Sequence, residues 1–557
     1  FWLKRWRPQA ADGSSRLRAR FQSPRPRHHW TMAPGSRSGG GLLRVLQRFR
    51  AARGLDFADH MTLPYGVFSS KKPGLAADPE GSTPTGASST SIGVALSPHH
   101  ILDCRKLARA PYSLLPECMA EPNLDGLLRA GAPVWAEVRV RVKELLREIC
   151  TENSRFSKLG ETGGFGIEDA LTISHADVRM HVPCTIGAFT DFFTSPQHAC
   201  RGRWERLRPN WKSLPVGYHG RASSVVVGGG WGALGIADAA LSEDAPGPQH
   251  SAPAMIHRPN GQYICPRTGM LTFGPSRRLD YEVEVGCIIG GPENAVGAPI
   301  GSFEEAECRI FGFVLLNDLS ARDIQYWEMA PLGPFLGKNF GSVISPWVVP
   351  KAALDERCRR AKGAYPEGLR RSLAGVGGGD APAGASSGLS PMVPEYLQIP
   401  ASSHFRYEYD LPIEVGVRLP ADGHDSQLGG RKLYFPIART NLSAMHWSFE
   451  QLVLHHASNG CNLRAGDLLG SGTLSVIDGW EAARSKDSSA RARTPNPRQY
   501  GCLQESTLEG QVPLGGAGRG LAVERLYLED GDECVMRGGL FGECGVEILP
   551  AINYDRL

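Results

Sequence analysis

No apolar run in the 557-residue chain approaches the ~20 residues that a membrane-crossing helix needs, so a soluble chain with no membrane partner is expected. Cysteine is present but unpatterned: the thirteen cysteines include no CxxC spacing. A chain long enough for two or more cores needs no disulfide staples, and reduced thiols in an intracellular compartment follow. Basic surface is also missing once the first segment is set aside. Residues 1–56 hold Lys4 and twelve arginines against Asp12 and Asp56, which leaves 61 − 13 = 48 basic and 57 − 2 = 55 acidic residues, a net charge of −7. Nothing basic remains to track phosphates, and no nucleic-acid partner is expected. Nor is there a nucleotide loop, because GGGWG lacks the spacing and the strand-to-helix setting that such a site requires.

Residues 1–62 are Arg-rich and broken by Pro, Gly and Ser, and they read as a disordered or spurious leader outside the fold. A mitochondrial-type transit segment is the alternative, with some amphipathic character over Leu42–Phe49; without it the expected compartment is the cytoplasm. Order begins at LPYGVFSS, and SIGVALSPHHILD has the alternation of a hairpin. Over Trp135–Cys150, Val138, Val142, Leu145, Leu146 and Ile149 fall at helical spacing, with Arg139 and Arg141 expected on the solvent side. The stretches 356–391 and 478–499 lack any apolar period and read as loose insertions. Strands resume at YEYDLPIEVGVRL, and SAMHWSFEQLVLHH is helix-like.

Chemistry concentrates in a few places. The apolar run IFGFVLL leads into NDLSARDIQYWEMAPLGPFLGK, so Asp318, Arg322, Gln325 and Lys338 emerge where a buried strand ends. HVPCTIGAFTDFFTSPQHA puts Asp191, Phe192, Phe193 and His198 in a Pro-punctuated loop, where the bland reading makes Asp191 a cap and His198 an ordinary exposed histidine. In GYHGRASS the glycines at 217 and 220 are expected to make a sharp bend around Tyr218 and His219. In LDYEVEVGCIIGG the period of two places Glu282 and Glu284 on one face of a strand, where two carboxylates repel unless a cation or protons lie between them. An amphipathic edge strand is the alternative; the continuation CII favours a central one. Asp191, Glu282, Glu284 and Asp318 together offer only oxygen donors, which suits Mg²⁺, Ca²⁺ or Mn²⁺ better than Zn²⁺.

The blocks TDFFTSPQHA, PNWKSLPVGYHGRASSVVV, LDYEVEV, FGFVLLNDLSARDIQYWEMAPLGPFLGKNFGSVISPWVVP and HHASNGCNLRAGDLLGSGTLS closely resemble the fumarylacetoacetase family, whose hydrolase ends tyrosine catabolism. The similarity runs in order from about Leu63 to Ile552. It implies a mainly β fold with some α: a small SH3-like N-terminal barrel over 63–183 and a larger mixed β-roll catalytic domain over 184–557, usually homodimeric. It also implies a small-molecule substrate and a Mg²⁺ or Ca²⁺ cofactor. The metal ligands would be Asp191, Glu282, Glu284 and Asp318, with Lys338 and Ser342 matching family residues near them.

By the same resemblance His198 is the general base and Glu505 its orienting carboxylate. Arg322, Gln325 and Lys338 donate to a developing oxyanion, and Phe193, Gln325, Met329 and Thr473 contact substrate. Phe193 and Met329 stand where the family has tyrosines, and Ser342 where it has a threonine. Each lost phenol removes one hydrogen bond, about 0.5–1.5 kcal/mol. CRGRWERLRPNW is shorter than the usual connection, whose substrate-binding arginine Arg203 or Arg206 would replace. The alternatives are a hydrolase or decarboxylase for a related β-keto acid or acylpyruvate, and a non-catalytic metal-binding relative.

Overall fold

In a computed structural model, residues 62–71, 90–97, 100–109, 113–149, 177–200, 207–229, 252–363, 373, 393–399, 403–420, 432–476, 499–510, 514–516 and 521–553 are described. Residues 1–61 of the expected leader, most of the two loose insertions, and Arg203 and Arg206 lie outside the described residues, whereas Thr62, the leader's last residue, is buried in the fold. The fold is mixed α/β with many strands, and no described helix is long and apolar enough to cross a membrane.

The organising element is the strand Ile310–Asp318, buried along its whole length. Its apolar run does not alternate in sequence because both of its faces are covered. Phe313 and Leu315 join a core that also holds Ile413, Val415, Val417, Met536 and Val546, whereas Val314 and Leu316 join a second core with Tyr65, Val67, Val138 and Val142. The first core fills the space between two sheets. One is eight-stranded and runs Gly217–Gly220, Phe189–Phe192, Leu468–Gly470, Val283–Ile289, Ile310–Asp318, Ser342–Ile344, Val225–Val227, with Val349–Pro350 also paired to Ile310–Asp318. The other is five-stranded: Lys432–Asn441, Pro412–Pro420, Glu533–Gly538, Gly542–Leu549, Ala254–His257. Val283–Ile289 lies between Leu468–Gly470 and Ile310–Asp318, so it is a central strand and not an edge.

The second core joins the N-terminal part to the outer face of the eight-stranded sheet. Tyr65–Ser70, Ser91–Ser97, His100–Asp103 and Val178–His181 form an antiparallel four-stranded sheet, with the expected hairpin between the second and third of these. The helix Ala132–Ile149 lays Val138, Val142, Leu145 and Leu146 on that core. Arg139, expected in solvent, is buried: it donates to the Thr62 carbonyl at 2.9 Å and to Glu356 at 2.7 Å, joining the helix to the chain on either side of it.

Three further local expectations differ from the structure. Asp191 and Phe192 lie on the strand Phe189–Phe192, and His198 on the short helix Pro196–Cys200, so the proposed loop is a strand and a helix. Gly217 and Gly220 are in a strand facing Phe189–Phe192, where a Cβ on Gly220 would stand 2.4 Å from the Phe189 ring; they serve close packing, not a bend. The helix expected over 443–456 begins only at Phe449, because Ser448 and Gln451 form a reciprocal cap that stops it there.

Candidate active site

Strands of the eight-stranded sheet bring Asp191, Glu284 and Asp318 to one place, and Glu282, which bridges to Cys502 just before Val283–Ile289, adds a fourth acid. Asp318 ends the strand Ile310–Asp318, and Glu284 pairs with Leu316 of that strand. Asp191 sits opposite Gly470, whose own strand lies between Asp191 and Glu284. Gly470 is required for this approach: a Cβ there would stand 2.8 Å from both Asp191 Oδ1 and Glu284 Oε2. Asp191, Glu282, Glu284 and Asp318 are all buried, and one carboxylate oxygen from each lies within 4.8 Å of the others.

The balance of charge in the quartet is uneven. Lys338 Nζ donates to Asp318 Oδ2 at 2.5 Å and to Glu282 Oε2. Arg322 Nη1 is 2.8 Å from Glu282 Oε1, and its Nε donates to Asp280 Oδ2 at 2.8 Å. Burial opposes ionisation of Glu282, but Lys338, Arg322 and His198 outweigh it and hold its pKa well below the usual carboxylate range. Burial likewise works against the Lys338 charge, which Asp318, Glu282 and Asp191 more than restore; its pKa is pushed up, so Lys338 enters as a cation without a lone pair to give. Asp191 and Glu284 have no such partner. Burial, then the neighbouring acids, pushes Asp191 up to about 8 and Glu284 well above its ordinary value. Asp191 Oδ1 and Glu284 Oε1 are buried without a hydrogen-bond partner.

Two unpartnered oxygens, an all-oxygen donor set and more carboxylates than cations fit a hard divalent ion. Such an ion must displace the protons that the bare site retains. Apparent affinity for Mg²⁺ is therefore expected to rise with pH up to about 8, where Asp191 loses its proton, by about tenfold per pH unit for each proton released. Calorimetric titrations in two buffers of different ionisation heat measure that release, and an affinity flat with pH would contradict it. The sign for stability is opposite. The folded ion-free chain holds the Asp191 proton to higher pH than the unfolded chain, so this group's contribution is full below 3.8 and is lost as pH rises through about 8.

Beside the quartet stands a second group. His198 Nδ1 lies 2.8 Å from Glu505 Oε2, and its Nε2 is 4.0 Å from Glu282 Oε1. Glu505 Oε2 also accepts Ser475 Oγ at 2.6 Å and Cys502 Sγ at 3.4 Å. Burial alone would keep Glu505 protonated, but His198, Ser475 and Cys502 lower its pKa below the ordinary value. An ionised Glu505 accepts from Nδ1–H, which leaves the Nε2 lone pair free.

These groups meet in a cavity of about 690 Å³. Asp191, Phe193, His198, Glu282, Arg322, Gln325, Met329, Lys338, Thr473 and Glu505 all line it. Glu284, Asp318 and Ser342 stand behind the wall, with Ser342 Oγ donating to Asp318 Oδ1 at 2.8 Å. The Phe193 ring meets the His198 ring edge to face, 5.2 Å between centres. Arg322 and Gln325 come from the helix Arg322–Glu328, where a spacing of three puts both on one side.

Several residues at the site escaped the sequence reading. Tyr218 lines the cavity and donates to Asp318 Oδ2 at 3.0 Å; its strand between two glycines had looked like a bend. Asp280 joins two halves of the site, since it accepts from Arg322 and from the backbone N–H groups of Leu503 and Gln504 at 2.7 and 3.0 Å, at the start of the short helix that carries Glu505. Its signal was present in the same period of two, Asp280, Glu282, Glu284. Ser475 and Cys502 carried none.

Two family models match the chain in sequence: "Fumarylacetoacetase N-terminal" over 61–183 and "Fumarylacetoacetate (FAA) hydrolase C-terminal" over 188–548. The fumarylacetoacetase of Caenorhabditis elegans is 33% identical over 512 residues, covering 88% of this chain and 96% of the relative. The Arabidopsis thaliana fumarylacetoacetase is 33% identical over 503 residues, with 88% and 95% covered. The Homo sapiens fumarylacetoacetase is 33% identical over 518 residues, with 89% and 97% covered. Matches of this length, over the segments that carry the acids, the histidine and its carboxylate, establish that the chain belongs to the fumarylacetoacetate hydrolase family.

Proposed function

We propose that the chain hydrolyses the carbon–carbon bond of fumarylacetoacetate to fumarate and acetoacetate, with Mg²⁺ or Ca²⁺ held by Asp191, Glu282, Glu284 and Asp318. One observation carries the reading: a histidine oriented by a buried carboxylate opens on the same cavity as the acid quartet. A decarboxylase on this scaffold would need the quartet but no water-activating pair. The bound ion supplies Lewis acidity to the oxygens of a β-diketone. His198 takes a proton from water at Nε2, and Glu505 stabilises the imidazolium that results, a step typically worth about 10²- to 10⁴-fold. Arg322, Gln325 and Lys338 donate to the oxyanion that develops as water adds. Acetoacetate leaves as its enolate and is protonated.

Phe193 and Met329 line the cavity without a phenol, which favours a second reading in which a simpler acylpyruvate is also a substrate. Thr473 and Gln325 remain as polar contacts. The two family matches abut near residue 184, which supports an N-terminal unit over 63–183, SH3-like in the family pattern, and a β-roll catalytic unit over 184–557. A homodimer in the cytoplasm completes this reading.

The test is an assay of the purified chain with fumarylacetoacetate beside simpler acylpyruvates. Turnover is expected with Mg²⁺ or Ca²⁺, to vanish after chelation and desalting, and to return when the ion is restored. Full activity in a preparation shown by elemental analysis to be metal-free would sink the assignment of the quartet. Release of carbon dioxide in place of fumarate would sink the hydrolysis.

A further inference from the structure

The pair His198 and Glu505 has a third neighbour that hydrolysis does not use. Cys502 is fully buried, and its Sγ lies 3.4 Å from Glu505 Oε2. One ligand atom each from His198, Cys502 and Glu505 falls within 4.8 Å of the other two. The second carboxylate oxygen, Glu505 Oε1, is buried with no hydrogen-bond partner, on a side chain only 8% exposed. A nitrogen, a sulfur and an oxygen therefore converge beside the all-oxygen quartet. The quartet selects hard ions, whereas imidazole and thiolate select softer ones such as Zn²⁺ and Cd²⁺.

Bond lengths decide whether such an ion fits. Zinc binds sulfur at about 2.3 Å and nitrogen or oxygen at about 2.0–2.1 Å, so tetrahedral ligands stand about 3.5 Å apart for S···O and about 3.3 Å for N···O. The Cys502 Sγ to Glu505 Oε2 distance is 3.4 Å, already at that value. His198 Nδ1 to Glu505 Oε2 is 2.8 Å, a hydrogen-bond length that must open by about half an ångström once the shared proton has gone. Ser475, the remaining donor to Glu505 Oε2, can keep its bond to the carboxylate or follow it. His198 and Glu505 both line the cavity, so water can complete the tetrahedron.

We propose that His198, Cys502 and Glu505 form a second metal site, for a soft divalent ion of the Zn²⁺ or Cd²⁺ class, whose occupancy silences the base. Binding at Nδ1 moves the His198 proton to Nε2 by exchange with water, which removes the Nε2 lone pair, and releases the thiol proton of Cys502 to solvent. The imidazole is then fixed by the ion and not by Glu505, and the carboxylate charge that supported an imidazolium is spent on the ion. The hard-ion site remains filled, so the chain is switched off without losing its cofactor. The effect on turnover rests on the hydrolase reading; the binding itself does not.

The experiment uses the full chain saturated with Mg²⁺. Titration with CdCl₂ is expected to produce a thiolate-to-cadmium charge-transfer absorption, part of which disappears in Cys502→Ser, where the hydroxyl still donates to Glu505. ZnCl₂ is expected to inhibit turnover, excess Mg²⁺ not to relieve the inhibition, and a zinc-selective chelator to restore the rate. In Cys502→Ser, the zinc concentration that halves that variant's own zinc-free rate should rise by at least ~10-fold, the lower end of what losing even an outer partner costs a metal site. Identical cadmium spectra in the two proteins would overturn the site, as would inhibition that Mg²⁺ relieves, which would put zinc in the acid quartet. If the chain hydrolyses nothing, the spectral difference still decides whether the site exists.

Discussion

Replacing His198 with alanine should lower kcat for fumarylacetoacetate by at least ~10²-fold and toward ~10⁴-fold, the range a positioned general base contributes. His198 is held at Nδ1 by Glu505, 2.8 Å away, and among the described residues the cavity holds no second histidine to take over. The loss should fall on kcat and leave KM within a few-fold, because His198 neither neutralises the substrate nor belongs to the acid quartet. Ion content measured on the same protein separates a lost base from a lost cofactor. Undiminished turnover in His198→Ala with the ion in place would remove the assigned base.

The second large effect is on stability. Lys338→Met removes the ammonium between Glu282 and Asp318 and leaves two buried carboxylates without it. Breaking a buried pair from one side typically costs about 3–5 kcal/mol. That loss is expected in chelator, read as a lower urea midpoint. A saturating divalent ion should recover much of it, since the ion brings positive charge to the same acids. Equal losses with and without the ion would show that Lys338 acts through packing and not through charge. Methionine keeps the length and apolar stem of lysine, so the comparison isolates the charged end.

How much of this was legible in the sequence varied with the kind of signal. Glu284 was readable from the period of two along Val283–Ile289, whereas Glu282, expected on the same strand, lies just before it and bridges to Cys502, and Asp280 is on the short strand Leu279–Asp280. Ile310–Asp318 was readable as a buried strand from its unbroken apolar run. The helix Arg322–Glu328 was not, because it is seven residues long, has no side-chain cap and leaves Tyr326 and Trp327 exposed, so no apolar stripe marks it. Asp191 and His198 looked like loop residues because Pro and aromatics punctuate a segment whose burial comes from Leu468–Gly470, far along the chain. Ser475 meets Glu505 across thirty residues of sequence, and Cys502 meets it from the N-cap of the four-residue helix Leu503–Ser506, too short to show a period. The resemblance to a family supplied roles for residues whose local patterns were silent, but neither Tyr218 nor Asp280 entered through it.

The strand Leu468–Gly470 lies between the strand of Asp191 and that of Glu284. During synthesis, therefore, a chain that has emerged as far as residue 340 already carries every acid of the quartet yet has nothing to seat Asp191 beside Glu284. The partner of His198 arrives later still, at Glu505. If the quartet holds the ion as proposed, the finished site exists only once Leu468–Gly470 has entered the sheet. On that proposed assignment of the quartet, ion binding would report that Leu468–Gly470 has taken its place in the sheet.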